Sequence, residues 1–451
     1  AEAERVLTEA ASINSALPSV YRNQARLLLK QSKTSEALEK AQLGCRQSPE
    51  EPESLLVLAA CLGANQKDSE ALSLIEKILK IKPNYAEAYA SRALIKLRAK
   101  DTVGAIKDAK MTVSLKPHLT HIWQLLGSLY YQGGNLGEAI VALRSAHKNE
   151  PENAAFMMQL GEFLRQDNKV SEAITILEEA TELAPKNAKA WTNLGVTFQQ
   201  GKRLDDAKMA YEKALALNPK SATILSNLGA MAMGAEEWES ALRYFESALE
   251  IDSTLAEAHS NSGIVLQELD RLDEAVASYR KAIALKPDFF EAHDRLSGTL
   301  FKLGSLDEAA ASIKCLIGIK PEDGQAHYNL GNTLQKLGKL IEAEASFRQA
   351  TVLMPEHAQA HNYLGRTLQE LGKLEEAEAS YKHAIKIKPD STEVYINLGI
   401  TLRALGRWDE AEASYTQAIK IKPDLAEAHY SLGNLLQELD RLKESESSYT
   451  Q

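Results

Sequence analysis

Asparagine and glutamine side chains recur along the chain in three series, and within each series the separations are multiples of 34 residues. An amide side chain offers both a hydrogen-bond donor and an acceptor, so it can pair with a peptide bond whatever side chains the ligand carries. A row of such amides would hold an extended segment by its backbone. The residues predicted to bind peptide are Asn193, Asn227, Asn261, Asn329, Asn397, Gln199, Gln267, Gln335, Gln369, Gln437, Asn332 and Asn434.

Five histidines follow the same spacing, namely His259, His293, His327, His361 and His429. Zinc needs ligand nitrogens at about 2.0 to 2.1 Å that converge on one point. A separation of 34 residues instead places each ring on a different helix. We therefore predict packing residues with a polar edge, no metal site, and stability that is sensitive to mild acid.

Catalytic chemistry is not indicated by the sequence. No glycine-rich phosphate loop follows a strand, and no grouping of Ser, His and Asp stands out from the repeats. Cys45, Cys61 and Cys315 have no metal-like spacing and are expected to be buried, reduced thiols. The carboxylates of Glu376 to Glu378 are expected on an exposed helix face. We predict no catalytic residue, no cofactor and no enzyme activity within this chain.

The regular spacing of proline and alanine reveals the elements that position these residues. Most of the 13 prolines fall on a 34-residue lattice that runs from Pro49 to Pro423, with Ser253 in the one slot that lacks proline. A second lattice of alanines runs from Ala37 to Ala411 with the same period. Repeats of this length are the signature of a solenoid of stacked supersecondary units.

Repeat positions are counted from the third residue after each proline slot, so Pro18 opens repeat 1 and Ala426 opens repeat 13. Positions 7 and 8 often read Leu-Gly, position 4 is aromatic or His, and position 24 is often Tyr or Phe. At about 100° per residue, positions 4, 7, 8 and 11 share one helix face, and positions 20, 24 and 27 share a face of a second helix. Small residues at positions 8 and 20 would let the two helices approach closely, with larger position-24 rings beside them.

This pattern resembles the tetratricopeptide repeat (TPR) family, whose 34-residue period and residue pattern it matches over essentially the whole chain. The resemblance implies an all-α fold, a right-handed α-solenoid superhelix of stacked helix-turn-helix repeats in which the first helices line a concave groove. Residues 18–425 would hold twelve complete repeats. Residues 1–17 would be the second helix of a truncated preceding repeat and residues 426–451 a truncated thirteenth, as expected for a segment of a longer polypeptide.

Positions 2, 5, 6, 9, 12 and 13 lie opposite the buried stripe and are predicted to face the groove. The asparagines at position 6 resemble those of the TPR arm of O-GlcNAc transferase, which contact bound peptide. Asn193, Asn227, Asn261, Asn329 and Asn397 match that series, whereas Arg295 and Tyr363 interrupt it. The alternative is that these amides are solvated helix surface or link neighbouring repeats.

Repeat 3 carries Arg92, Lys96 and Arg98 on its first helix. It resembles the TPRs of chaperone cofactors that grip a C-terminal carboxylate, but Glu87 and Ser91 stand where that family places basic residues. Two readings stay open, an anionic-ligand site near Arg92 and Arg98 or a solvated charged face.

Composition limits the partners. The formal net charge of -10 argues against a nucleic-acid or anionic-membrane surface, and no apolar run approaches the roughly 18 residues of a membrane span. The predicted function is a cytoplasmic protein-interaction scaffold that binds an extended peptide or a partner helix of unspecified identity in its groove. The alternatives are the substrate-recruiting arm of a glycosyltransferase or sulfotransferase, with its catalytic domain beyond residue 451, and an architectural role with self-association.

Overall fold

A computed structural model of the protein describes residues 17–449; residues 1–16, where the second helix of a preceding repeat is predicted, and residues 450 and 451 lie outside this range. Every regular element within residues 17–449 is an α-helix, and no strand occurs among them. None of these helices combines the length and the apolar character needed to cross a membrane. The predicted all-α class of paired helices is confirmed.

The chain forms two compact units, one ending at Pro219 and one starting at Lys220. The helices of the first unit are α1 (Pro18–Lys30), α2 (Thr34–Gln47), α3 (Pro52–Ala64), α4 (Asp68–Ile81), α5 (Ala86–Arg98), α6 (Thr102–Leu115), α7 (Thr120–Gln132), α8 (Leu136–Asn149), α9 (Ala154–Gln166), α10 (Val170–Leu183), α11 (Ala188–Gln200) and α12 (Leu204–Leu217).

The second unit continues the same alternation of first and second helices. Its helices are α13 (Ala222–Gly234), α14 (Trp238–Ile251), α15 (Ala256–Glu268), α16 (Leu272–Leu285), α17 (Phe290–Lys302), α18 (Leu306–Ile319), α19 (Gly324–Lys336), α20 (Leu340–Leu353), α21 (Ala358–Glu370), α22 (Leu374–Ile387), α23 (Thr392–Ala404), α24 (Trp408–Ile421), α25 (Ala426–Glu438) and α26 (Leu442–Tyr449). Within each unit, a second helix packs against its own first helix and against the first helix of the next repeat.

Each first helix begins at repeat position 1 and ends at a tight turn that sets the direction of the second helix. In repeat 6 the side chain of Asn187 caps α11 by accepting hydrogen bonds from the backbone N–H groups of Lys189 and Ala190. At the other end the N–H of Arg203 donates to the carbonyl of Phe198 at 2.9 Å, the 6→1 bond of a Schellman motif. The corresponding 6→1 bond closes this turn in each of the described repeats, whatever residues the turn contains.

This turn places repeat position 15 in the left-handed backbone region throughout the described repeats. Glycine occupies the position in five of them, as in Gly372 with φ of 75°. The others adopt the same conformation without glycine; they are Ser32, Gln66, Lys100, Asn168, Lys202, Glu236, Asp270 and Asp440. Left-handed backbone costs an L-residue roughly 1–2 kcal/mol, so these eight turns are held by the helices on either side.

The two helices of a repeat are brought together by small residues, as the sequence predicts. The position-20 alanines from Ala37 to Ala411 are fully buried. In repeats 6, 7, 8, 10, 11 and 12 the aromatic ring at position 24 lies directly over position 8, not beside it. A Cβ atom added to Gly263 would lie 2.6 Å from Cε1 of Tyr279, closer than real side chains approach. Because glycine at position 8 has no side chain, it leaves the space that the ring fills.

Replacing Ala275 with Leu tests this packing. Ala275 is fully buried between α15 and α16, so the added methylenes should overpack the helix pair and destabilise the protein by about 1–3 kcal/mol. Urea unfolding followed by far-UV circular dichroism measures the change. Ala277→Leu, on the exposed side of the same helix, is the matched control and should leave the transition unmoved; equal behaviour of the two variants would contradict the packing described.

A second prediction concerns the left-handed turns. Glu236→Gly should stabilise the protein by about 1 kcal/mol, because glycine adopts a φ of 59° without a Cβ penalty. The neighbouring Ala235 has a φ of -91°, so Ala235→Gly should destabilise instead. Thermal unfolding of both variants gives the comparison, and a loss of stability in Glu236→Gly would show that its side chain contributes more than the turn costs.

Candidate peptide-binding groove

An open depression of about 440 Å³ lies on the first-helix side of repeats 4 to 6, within the first unit. Three successive first helices, α7, α9 and α11, form its walls. The lining residues are Ser128, Tyr131, Gln132, Ala155, Met158, Gln159, Glu162, Phe163, Lys189 and Asn193. All of them except Phe163 occupy positions 2, 5, 6, 9, 12 or 13. Among the predicted peptide-binding residues, Asn193 lies in this depression.

An aromatic pair forms one side of the depression. The rings of Tyr131 and Phe163 stack with centroids 4.5 Å apart and planes 14° from parallel. Tyr131 is 42% exposed and Phe163, which packs against it, is 5% exposed, so the tyrosine ring presents most of the apolar surface of the pair. Sequence reasoning missed both residues. The signal was present, because position 12 is often Gln and position 10 is often Thr, so an aromatic residue at each is a departure from the repeat.

Three position-6 asparagines have amide groups that are not used inside the protein. Asn193 lies in the first unit, and Asn227 and Asn261 lie in the second. Each is half-buried, and none of the three side chains hydrogen-bonds to another of the described residues. The backbone carbonyl of Asn193 accepts a bond from Thr197 Oγ1 at 2.8 Å, and the side-chain amide takes no part in this bond. These amides can therefore bind a ligand without first breaking an internal bond.

Other members of the predicted set do have partners. Asn397 Nδ2 donates to Asn362 Oδ1 at 3.1 Å, and Asn362 donates to Glu393 at 3.0 Å, so this network links neighbouring repeats. Asn329 Oδ1 accepts from Gln325 at 2.9 Å. For Asn397 the structure thus shows the inter-repeat bonding that the sequence left as an alternative.

The remaining amides of the set also interact within the chain. Asn332 interacts with the hydroxyl of Tyr328. Asn434 and Gln437 lie at positions 9 and 12 of α25, each with an interaction inside the chain. Gln335 Oε1 accepts from Arg366 at 2.7 Å. The predicted residues therefore form no uniform row.

Glutamines at position 12 face tyrosines at position 24 of the same repeat. The hydroxyl of the tyrosine donates to the amide oxygen of the glutamine in three pairs. These are Tyr211 to Gln199 at 3.1 Å, Tyr279 to Gln267 at 3.2 Å and Tyr381 to Gln369 at 3.0 Å. Only the oxygen of each glutamine is engaged in this way, and its NH2 group donates no hydrogen bond within the described chain.

The residues that interrupt the asparagine series have their own surroundings. The ring of Tyr363 meets that of Tyr328 edge-on at 5.7 Å, and the guanidinium of Arg366 lies 4.5 Å from its centroid. Arg295 is exposed. Repeats 9 and 11 thus present a cationic and an aromatic group at position 6, whereas repeat 10 between them keeps Asn329.

Two of the three cations of repeat 3 pair with a buried carboxylate. Arg92 donates to both carboxylate oxygens of Asp108, at 2.8 and 2.6 Å, and Lys96 Nζ lies 2.8 Å from the same group. Asp108 is 2% exposed. Burial raises its pKa, but the bonds from Arg92 and Lys96 outweigh burial and the pKa is lowered. Arg92 and Lys96 thus replace leucines at positions 7 and 11 with a buried ion pair, whereas Arg98 is half-exposed and pairs with Asp68 at 2.6 Å.

The histidines at position 4 pack as predicted, each with one polar edge bonded. The Nε2 atom of every ring lies 2.7–3.1 Å from the backbone carbonyl six residues earlier; the rings are those of His259, His293, His327, His361 and His429. The indole Nε1 of Trp191 donates to the carbonyl of Pro185 in the same way, at 2.9 Å. Among residues 17–449, no group of three His, Cys, Asp or Glu is placed to hold a metal ion.

Two expectations about exposure were wrong in part, although Glu376 is exposed as expected. Glu378 is 9% exposed, because Arg407 of the next repeat and Lys382 both contact its carboxylate, at 2.6 and 2.7 Å. Cys315 is exposed, although Cys61 is buried as expected. Burial raises the pKa of the Cys61 thiol to about 12, so this cysteine is an unreactive packing residue.

Models of known protein families match most of these repeats. Models of the tetratricopeptide repeat family match residues 130–195, 188–221 and 221–251. The model of the cilia and flagella-associated protein 70 C-terminal domain matches residues 247–451. The matched stretches run without a gap from residue 130 to residue 451.

Individual relatives are more distant. Human tetratricopeptide repeat protein 33 is 31% identical over 86 residues, 19% of this chain, and the chain spans 32% of that relative's length. The crystal structure of YrrB, described as a TPR protein with an unusual peptide-binding site, has 24% identity and a TM-score of 0.38 and covers 41% of this chain and 95% of YrrB. Pseudomonas aeruginosa PilF has 21% identity and a TM-score of 0.41, with 45% of this chain and 92% of PilF covered.

The buried histidines predict a dependence of stability on pH. Burial lowers the pKa of His259 and of His361, and the nearby His383 and His357 lower that of His361 further. The unfolded chain then binds more protons than the native state. Their contribution is fully present above about pH 6.5, the ordinary histidine value, and is lost as the pH falls through the lowered native values.

The variant His259→Tyr/His361→Tyr carries the residue found at position 4 in repeats 3 and 12. We expect the free energy of unfolding of the parent to fall more steeply between pH 7 and pH 5 than that of the variant. Urea titrations at both pH values measure the difference. Parallel profiles would show that these two rings do not contribute to the pH dependence.

Proposed function

Since the chain is a tetratricopeptide repeat protein, we propose that it is a protein-interaction scaffold that binds an extended peptide along the first-helix side of its repeats. The observation that carries the proposal is the depression over α7, α9 and α11, where residues from three repeats converge. A ligand lying across three helices contacts several repeats at once, and many modest contacts on a rigid surface add up to useful affinity.

The lining chemistry favours an extended segment over a partner helix. Gln132, Gln159 and Asn193 offer amides at the surface of the depression. The backbone groups of a helix are already paired within the helix, whereas those of an extended chain are open to bind side-chain amides. Peptide carbonyl and N–H groups are therefore the complement of this surface.

Specificity would come from the side chains around these amides. Tyr131, stacked on the buried Phe163, and Met158 supply apolar surface for one ligand side chain. Glu162 and Lys189 bring one negative and one positive charge to the same depression. A peptide with an apolar residue next to charged residues is the ligand that these groups suit.

The asparagines of the second unit extend the proposal to that unit. Asn227 and Asn261 occupy position 6, like Asn193, and their amides are equally unused inside the protein. The proposal assigns a binding role and no catalysis to this chain. It places the scaffold in the cytoplasm, where the unpaired cysteines Cys45, Cys61 and Cys315 fit a reducing compartment.

Replacing Asn193, Asn227 and Asn261 together with alanine tests the proposed function. The probe is the tightest-binding peptide selected from a random library displayed on phage and panned against the parent protein. A neutral hydrogen bond contributes about 0.5–1.5 kcal/mol, so we expect binding to weaken by about tenfold or more if two of the three bonds are lost. The melting temperature should change little, because these side chains have no internal partners.

Thr175→Ala, on the exposed side of α10, is the control and should bind the peptide as the parent does. Isothermal calorimetry gives the affinities and circular dichroism the melting temperatures. Unchanged affinity in the triple variant would place the binding site away from these asparagines.

A further inference from the structure

Three tyrosine side chains connect the packed interior to the groove surface. Tyr211, Tyr279 and Tyr381 are fully buried at position 24, yet the hydroxyl of each reaches the glutamine at position 12 of its own first helix. Burial raises the pKa of all three phenols. The hydroxyls therefore keep their protons and act as donors, and the atom that accepts is the amide oxygen of the glutamine.

In the second unit a threonine from the first helix of the following repeat also lies near this oxygen. Thr299 Oγ1 lies 3.3 Å from Gln267 Oε1, and Thr401 Oγ1 lies 3.0 Å from Gln369 Oε1. Each hydroxyl has a single proton, however, and lies closer to the backbone carbonyl four residues earlier, at 2.8 Å for Thr299 and 2.9 Å for Thr401. The tyrosine hydroxyl is therefore the donor that fixes the amide oxygen.

Other repeats show what happens when one partner is missing. Repeat 10 has Phe347 at position 24, and its glutamine, Gln335, instead accepts from Arg366 and donates through Nε2 to Glu370 at 3.2 Å. Repeat 12 has Arg403 at position 12, and the buried hydroxyl of Tyr415 has no hydrogen-bond partner among residues 17–449. The bond therefore depends on the combination of tyrosine and glutamine and is not a general feature of the repeat.

A fixed oxygen determines where the nitrogen points. The amide is planar, and its NH2 group lies on the other branch from the oxygen, so an oxygen turned toward the interior leaves the NH2 group turned away from it. Position 12 belongs to the face that lines the depression of the first unit, where Tyr131 occupies it. A freely rotating amide offers a donor or an acceptor, whereas an oriented one offers donors only.

We propose that Gln199, Gln267 and Gln369 are oriented hydrogen-bond donors that bind backbone carbonyl oxygens of an extended ligand, and that Tyr211, Tyr279 and Tyr381 are the positioning residues that orient them. This inference rests on the proposed function, because it specifies which atoms of the peptide the groove contacts. Gln335, whose NH2 group is already engaged by Glu370, is excluded from the donor set.

Decaproline is the probe that separates acceptors from donors. Proline has no backbone N–H, and a proline oligomer is extended, so it offers carbonyl acceptors alone. The full chain is labelled with 15N at the glutamine side chains, and the amide resonances are followed by NMR during titration with decaproline. We expect the NH2 protons of Gln199, Gln267 and Gln369 to move downfield while those of Gln335 stay in place.

Tyr279→Phe/Tyr381→Phe tests the positioning role. The amide order parameters of Gln267 and Gln369 should fall in the variant, and decaproline should bind about 3- to 10-fold more weakly, the loss expected for a weakened neutral hydrogen bond. Tyr415→Phe removes a buried hydroxyl that has no partner, so this matched control should change neither quantity. Melting temperatures show that each variant is folded.

The outcomes distinguish this inference from the proposed function. Glutamine amides that are equally mobile in the parent and in the double variant overturn the inference, even if the library peptide still binds through the asparagines. Ordered amides whose protons do not respond to decaproline overturn the donor role. Loss of peptide binding in the asparagine variant, together with ordered and responsive glutamines, supports both.

Discussion

The contact on which the rest of the structure depends is the one between the position-24 side chain and the bare backbone at position 8. A Cβ atom on Gly195 would lie 2.7 Å from Tyr211, and one on Gly365 would lie 2.7 Å from Tyr381. Where position 8 is alanine, position 24 is no larger than isoleucine, as in the pair of Ala59 and Ile75. The size of the position-24 side chain thus decides whether position 8 has room for a Cβ atom.

This packing also decides what the groove surface presents. Because a ring that lies across position 8 extends along the first helix, its hydroxyl reaches position 12 and holds a surface amide by its oxygen. Asparagines at position 6 have no such partner. They remain unused unless their own helix or a neighbouring repeat supplies one, as Gln325 does for Asn329 and Asn362 does for Asn397. Asparagine at position 6 therefore has different roles in different repeats, and the residues around it decide which role it takes.

Features fixed by local periodicity could be predicted from the sequence. The helix pairs, the buried alanines and the histidine rings with one bonded edge all follow from the pattern of a single repeat. Features that depend on contacts between helices could not. Asp108 is neutralised by cations from the other helix of its repeat, and the stack of Tyr131 on Phe163 crosses two repeats. Glu236 adopts a left-handed backbone because the turn requires it, not because glutamate favours it.

The division between Pro219 and Lys220 could not be predicted from the sequence either, because the 34-residue pattern continues across it without a change. The lining of the depression could likewise be predicted only in outline. The helical wheel identifies which positions are exposed, but the apolar shelf of Tyr131 and Phe163 depends on which exceptions stand next to each other. A sequence of near-identical repeats is most informative about the binding surface where it departs from its own consensus.

Contacts between successive repeats change character along the chain. Position 21 is aliphatic in repeats 1 to 5, from Leu38 to Ile174, but it is glutamate in repeats 10 to 12. There the position-16 cation of the following repeat contacts the carboxylate, as Lys373 does with Glu344 at 2.7 Å and Arg441 with Glu412 at 2.5 Å. Partly exposed ion pairs stabilise little by themselves. An unpaired, largely buried carboxylate is costly, however, so these residues penalise any stacking that separates the pair. In these repeats the charges thus add selectivity for one register to the packing that the small residues provide.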